Sequence, residues 1–137
     1  RSSMLNDAYR ALRDRVTRAK YLLSLYGYKE AEKKAPPELL EEVFELNMQI
    51  EELKAAKKMA DEAEVAEARA ALGEALGSLE TKTSEIDERL FAHFDQWDRA
   101  ADQGSQEDQK AALDRISELL SHRSYIYNLV RDIKEEL

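Results

Sequence analysis

Pro36-Pro37-Glu38-Leu39-Leu40-Glu41-Glu42-Val43-Phe44-Glu45-Leu46-Asn47-Met48-Gln49-Ile50-Glu51-Glu52-Leu53 reads as a helix with two apolar stripes. An α-helix turns about 100° per residue. Leu39, Val43, Leu46, Ile50 and Leu53 recur at spacings of four, three, four and three, which makes one narrow seam. Leu40, Phe44 and Met48 follow at i, i+4 and i+8, centred about 140° from that seam. Glu41 and Glu45 border this second row on its far side. A helix in a small bundle needs one buried face. The second row is therefore either a docking surface edged with carboxylates or a face covered by another helix of the chain.

The composition agrees with long amphipathic helices. Of 137 residues, 36% are charged and 7% aromatic, with four glycines and two prolines, a balance that does not suit a β-fold. The length fits one domain, or one domain plus a piece of another. The net charge of −8 makes the chain a poor candidate for nucleic acid or anionic lipid, since both are bound through clustered Lys and Arg. The absence of cysteine excludes disulfides, zinc–thiolate sites, iron–sulfur ligation by this chain and cysteine catalysis. The most apolar run, Tyr21 to Tyr26, falls far short of the ~20 residues that span a bilayer. The chain opens on Arg1 rather than Met, as expected of a fragment, a processed form or a chain with residues ahead of Arg1.

Taken in order, Ser2 or Ser3 can cap a first helix whose seam is Leu5, Tyr9, Leu12, Val16, Ala19, Leu23 and Tyr26. It is either one helix or two broken near Asp14-Arg15. Arg10, Arg13, Arg15, Arg18 and Lys20 give it a basic face. Gly27 suits a C-terminal cap. Lys29 to Ala35 is a polar linker closed by Pro36-Pro37. The second helix runs from about Pro37 to about Met59, and Asp61 can cap a third. That third helix carries the seam Leu72, Leu76, Leu79, Ile86, Leu90, Phe94 and Trp97. Gly73 and Gly77, four apart, predict the close approach of a neighbouring helix. Asp102-Gln103-Gly104-Ser105 is a stop, with Ser105 as the cap of a last helix that carries Leu113, Ile116, Leu119, Leu120, Ile126, Leu129, Val130, Ile133 and Leu137.

Three long helices joined by short turns predict an all-α, antiparallel three-helix bundle over residues 37–137, preceded by a helical segment (1–28) and a linker (29–36). The second and last helices then run parallel on either side of the third. Tyr125 falls within roughly 10–15 Å of Leu40 and Phe44 along the axis, and can extend the second row.

No enzyme site is legible. Neither His93 nor His122 has a glutamate three residues before it, so the paired Glu-x-x-His of a di-iron bundle is missing, as is His-Glu-x-x-His. The glycines are scattered and form no phosphate loop. The carboxylates lie on charged faces with Lys or Arg nearby. The expectation is a non-enzyme without cofactor or resident metal.

Three stretches carry a resemblance. Leu5-Asn6-Asp7-Ala8-Tyr9-Arg10-Ala11-Leu12-Arg13-Asp14 is similar to the third helix of a J-domain, and Thr17-Arg18-Ala19-Lys20-Tyr21-Leu22-Leu23 is similar to the segment that follows it in the HscB family. HscB proteins are co-chaperones of iron–sulfur cluster assembly. Leu40 to Leu53, with Glu45-Leu46-Asn47, resembles the first helix of the HscB C-terminal domain, and Ser124-Tyr125-Ile126-Tyr127-Asn128-Leu129 resembles part of its last helix. The likeness runs almost the full chain in the family's order. Residues 1–28 would then be the end of a J-domain and residues 37–137 the scaffold-binding bundle.

The resemblance implies that the bundle docks the U-type scaffold protein on which clusters are built, and that a J-domain delivers the scaffold to a dedicated Hsp70 and stimulates its ATPase. The implied scaffold contacts are Leu40, Glu41, Phe44, Glu45, Met48 and Tyr125. These are the residues of the second row, its acidic border and the off-seam tyrosine. The implied location is the bacterial cytoplasm or, second, the mitochondrial matrix. The sequence departs from the family pattern at Glu41, often Met, at Met48, often an acid, and at Arg15, usually Pro. The J-domain tripeptide His-Pro-Asp is absent, so this chain alone is expected not to stimulate an Hsp70, whereas a full-length form would. Without its partner helix, the seam of Leu5, Tyr9, Leu12 and Val16 is expected to pack on the bundle, to pack on another copy, or to fray. The alternative to an HscB-like module is a generic helical interaction or structural protein.

Overall fold

The computed structural model describes residues 2–28 and 37–137, with side chains from residue 13 onward. Every regular element among them is helical: α1 (Ser2–Leu25), a single 3-10 turn (Pro37–Leu39), α2 (Leu40–Lys58), α3 (Glu62–Gln103) and α4 (Gln106–Glu136). The chain is all-α, as its composition predicts. The linker 29–36 lies outside the described residues, as do the side chains of the expected caps Ser2 and Ser3 and of the seam positions Leu5, Tyr9 and Leu12. The first helix is unbroken at Asp14-Arg15, where no proline interrupts the hydrogen-bond ladder.

Each helix stops for a local chemical reason. At the end of α1 the Tyr28 N–H reaches the Leu23 carbonyl and the Gly27 N–H the Ser24 carbonyl, with Gly27 at φ +82°. That is the Schellman closure, in which a left-handed residue satisfies the last carbonyls. The same pair of bonds recurs at Gly104, φ +70°, between α3 and α4, and at Ala60, φ +56°, between α2 and α3. Ala60 holds this conformation against the clash of its own Cβ. Asp61 and Ser105 then act as the predicted caps: the Asp61 carboxylate accepts the Glu64 N–H at 3.2 Å, and the Ser105 hydroxyl accepts the Asp108 N–H at 3.3 Å.

Contacts divide the chain into two compact units, each built from discontinuous segments. Unit 1 comprises Arg1–Glu32 and Ile86–Ser121; unit 2 comprises Lys33–Glu85 and His122–Leu137. In unit 1, Val16, Ala19 and Leu23 of α1 are buried together with Ile86, Leu90 and Ala100 of α3 and Ala112, Leu113 and Ile116 of α4. Phe91 and Phe94 meet edge to face at 6.4 Å, and the Arg15 guanidinium lies 4.8 Å over the Phe91 ring, an arrangement favoured by the ring quadrupole. The described part of α1 therefore packs on the same chain. Tyr26, expected in its seam, is instead exposed, because the Gly27 closure takes the backbone out of helical register one residue earlier.

Unit 2 contains α2, the first half of α3 and the end of α4. Its core is Leu39, Leu46, Leu53, Leu72, Leu79, Ile126, Leu129 and Ile133. Burying each leucine or isoleucine contributes about 1.5–3 kcal/mol before entropy is counted. Surface pairs report the helix directions. Lys82 meets Glu42 at 3.3 Å, so α3 runs back along α2. The Lys57 ammonium donates to the Glu136 carbonyl at 2.9 Å, and Lys54 lies 3.8 Å from the Glu136 carboxylate. The end of α4 thus lies beside the end of α2.

Gly73 and Gly77 do not serve helix approach. Both are exposed, and a Cβ built on either meets nothing within 4 Å. Among the described residues no neighbour comes close enough to use their spacing. Glycine inside a helix costs about 0.5–1 kcal/mol relative to alanine. Gly73→Ala/Gly77→Ala is therefore expected to raise the unfolding free energy by about 1–2 kcal/mol. A urea titration followed by circular dichroism reads this as a higher midpoint at unchanged slope.

Candidate docking face

The two stripes of α2 have opposite fates. Leu39, Leu46 and Leu53 are 3%, 3% and 0% exposed, whereas Leu40, Phe44 and Met48 are 59%, 69% and 51% exposed. No helix among the described residues covers the second row. Large apolar side chains displayed in a line along one helix form the kind of surface that marks an interaction site. Val43 and Ile50, the outer members of the seam, are half-buried.

Charge surrounds the row on one side. Glu41 and Glu45 are both exposed, and neither forms an ion pair among the described residues. Glu42, one step round the helix, turns the other way to Lys82. From residue 38 to residue 53 the chain has Glu38, Glu41, Glu42, Glu45, Glu51 and Glu52 and no cation. Glu51 and Glu52, which the sequence reading did not assign to the rim, continue it one turn past Met48. Their signal was the same i+3/i+4 spacing that defines the row.

Tyr125 is half-buried on α4. It lies eleven residues before Glu136, or about 16 Å along the helix. Glu136 itself is level with Lys54 and Lys57 of α2. The five α2 residues share one strip, and Tyr125 lies on another helix. Its neighbour Tyr127 is exposed.

A second polar cluster lies in unit 1. The Tyr28 hydroxyl donates to the Asp114 carboxylate, and Lys110 lies 3.5 Å from the other oxygen of that group. Together with Tyr26, Gln106, Gln109 and Leu113 they line an open cavity of about 750 Å³. Burial first, then the hydrogen bond to Asp114 and the negative charge of that carboxylate, push the Tyr28 hydroxyl up to about 12 from its usual 10. In the unfolded chain this phenol loses its proton near pH 10, whereas the native one keeps it to about pH 12. Its contribution to stability is thus complete below pH 10 and is lost as pH rises toward 12. Tyr28→Phe is expected to lower stability by about 1 kcal/mol at neutral pH. Denaturant midpoints measured from pH 9 to 12 should converge for the two proteins as the pH rises.

His93 Nδ1 lies 2.9 Å from Gln96 Oε1 on its own helix. Among the described residues no group of three or more His, Asp or Glu is arranged to hold a metal ion, and no helix is long and apolar enough to cross a membrane. No protein-family model, curated protein or solved structure matches the chain.

Proposed function

We propose that this chain is a protein-docking module that binds its partner through Leu40, Phe44 and Met48, with Glu41 and Glu45 as an acidic rim and Tyr125 as a flanking contact. The observation that carries this reading is the contrast within α2: one stripe buried to a few per cent, the other more than half exposed. An apolar centre with a charged rim is suited to a transient interface, because the centre supplies affinity and the rim orients the partner.

The partner comes from the resemblance. The likeness of Leu5–Leu23, Leu40–Leu53 and Ser124–Leu129 to HscB supports a three-helix bundle of the HscB C-terminal type that docks a U-type iron–sulfur scaffold protein. In a longer form, a J-domain would deliver that scaffold to an Hsp70, in the bacterial cytoplasm or, second, the mitochondrial matrix. The cluster is cargo on the scaffold, and this chain supplies no ligand to it. The meeting of the α4 end with the α2 end at Glu136 supports a surface to which both helices contribute.

Isothermal titration of the chain with a U-type scaffold protein, beside Leu40→Ala/Phe44→Ala, tests the reading. The parent is expected to bind saturably, and the variant at least about tenfold more weakly, as for truncation of central apolar anchors. Helicity should not change, since both side chains are outside the core. Absence of binding by the folded parent would leave a generic helical module and remove the scaffold from the account.

A further inference from the structure

Between α1, α3 and α4 of unit 1 lies a cavity of about 150 Å³. A cavity of this size holds one benzene ring. Most of its lining comes in pairs three residues apart, which share one face of a helix. Ala19 and Leu22 line it from α1, Phe94 and Trp97 from α3, and Ile116 joins them from α4. Ala19 and Ile116 are buried and the other three half-buried. The inner wall is therefore apolar and largely aromatic.

Charge of both signs lines the same cavity. Arg15 and Arg18 come from α1, Asp95 and Asp98 from α3, again three apart. All four are exposed, so they form the mouth. None of them makes an ion pair among the described residues, and Arg15 is held over the Phe91 ring instead. The mouth is positive on its α1 side, negative on its α3 side and neutral in sum. The Trp97 indole N–H is buried and finds no acceptor among the described residues, a state that indoles in folded chains seldom keep.

We infer that this cavity binds a free aromatic amino acid. The ring sits against Phe94, Trp97 and Ile116, the carboxylate faces Arg15 and Arg18, and the ammonium faces Asp95 and Asp98. A ligand of one sign would meet like charge on one side of the mouth, and an uncharged ring would leave both sides unused. A zwitterion with a single apolar ring answers the whole lining. The four charges stand in water, so each ionic contact is screened and adds little. The ring supplies most of the affinity, which is expected to be roughly millimolar for a ligand of this size. The site lies within unit 1 and does not depend on the α2 row.

Trp97 is the one tryptophan of the chain, so its emission reports on the cavity directly. L-Phenylalanine, which does not emit where indole does, is expected to change that emission saturably when titrated into the whole chain. L-Alanine, which has no ring, should leave it unchanged at the same concentrations. Phenylpropionate, without the ammonium, and phenethylamine, without the carboxylate, should each bind about threefold more weakly than phenylalanine. Asp95→Asn/Asp98→Asn is expected to bind phenylalanine and phenylpropionate alike, and Arg18→Gln to narrow the gap between phenylalanine and phenethylamine. Circular dichroism checks that the helices persist in both variants, whose altered side chains are exposed. Absence of a saturable response to phenylalanine in both emission and titration calorimetry would overturn the inference. So would equal binding of the three ring compounds by the parent, or variants that keep the parent's preferences.

Discussion

Leu53→Ala is expected to lower the unfolding free energy by about 3 kcal/mol, within the 2–5 kcal/mol range of large-to-small changes in a core. Leu53 is 0% exposed, so its truncation removes three buried carbons and leaves a cavity that close-packed neighbours fill only in part. Phe44→Ala removes a larger side chain from the same helix, nine residues earlier. It is expected to change stability by no more than about 0.5 kcal/mol, because Phe44 already stands in water. Denaturant midpoints measured side by side decide the matter. A Phe44→Ala protein as destabilised as Leu53→Ala would mean that the exposed row is core, and the docking face would fall with it.

The second large effect is expected at Gly77, where two substitutions act with opposite sign. Gly77→Ala stabilises for the reasons given above. Gly77→Pro is expected to cost about 3 kcal/mol or more, because it deletes the N–H that bonds to the carbonyl of residue 73 and forces the ring against that carbonyl. No side chain is lost and nothing stands within 4 Å of the new Cβ, so the whole effect belongs to the backbone of α3. Thermal unfolding of the three proteins is expected to rank alanine above glycine above proline. Equal stability for glycine and proline would mean that α3 is already interrupted there.

What could be read without coordinates was whatever repeats with the helical period or answers to a cap. The two stripes of α2, the seam of α3 and the caps at Asp61 and Ser105 are of this kind. Each depends on residues within a turn of one another, and the side chain alone supplies the physics. Three features were not legible. Gly73 and Gly77 announce that a neighbour would fit, which is different from saying that one comes. Ala60 takes the left-handed position that glycine takes at 27 and 104, and nothing in an alanine signals this. Tyr21 and Leu25 lie within the apolar run from Tyr21 to Tyr26, yet both are more than half exposed. Only the burial of Val16, Ala19 and Leu23 shows that Tyr21 and Leu25 point away. The identity of the partner comes from the likeness of whole stretches and from no period or spacing.

The bond between Tyr28 and Asp114 also says something about the order of assembly. It joins residues 86 positions apart, whereas the turn around Ala60 joins α2 to α3, and Gly104-Ser105 joins α3 to α4, through a few residues each. Closing a loop of that length costs about 4 kcal/mol in chain entropy, and the cost falls away only once the intervening helices are already in place. The hairpins therefore form from near neighbours, and α1 is secured afterwards. Among the described residues, the buried seam of Val16, Ala19 and Leu23 has its partners only in α3 and α4, which lie more than sixty residues further along the chain.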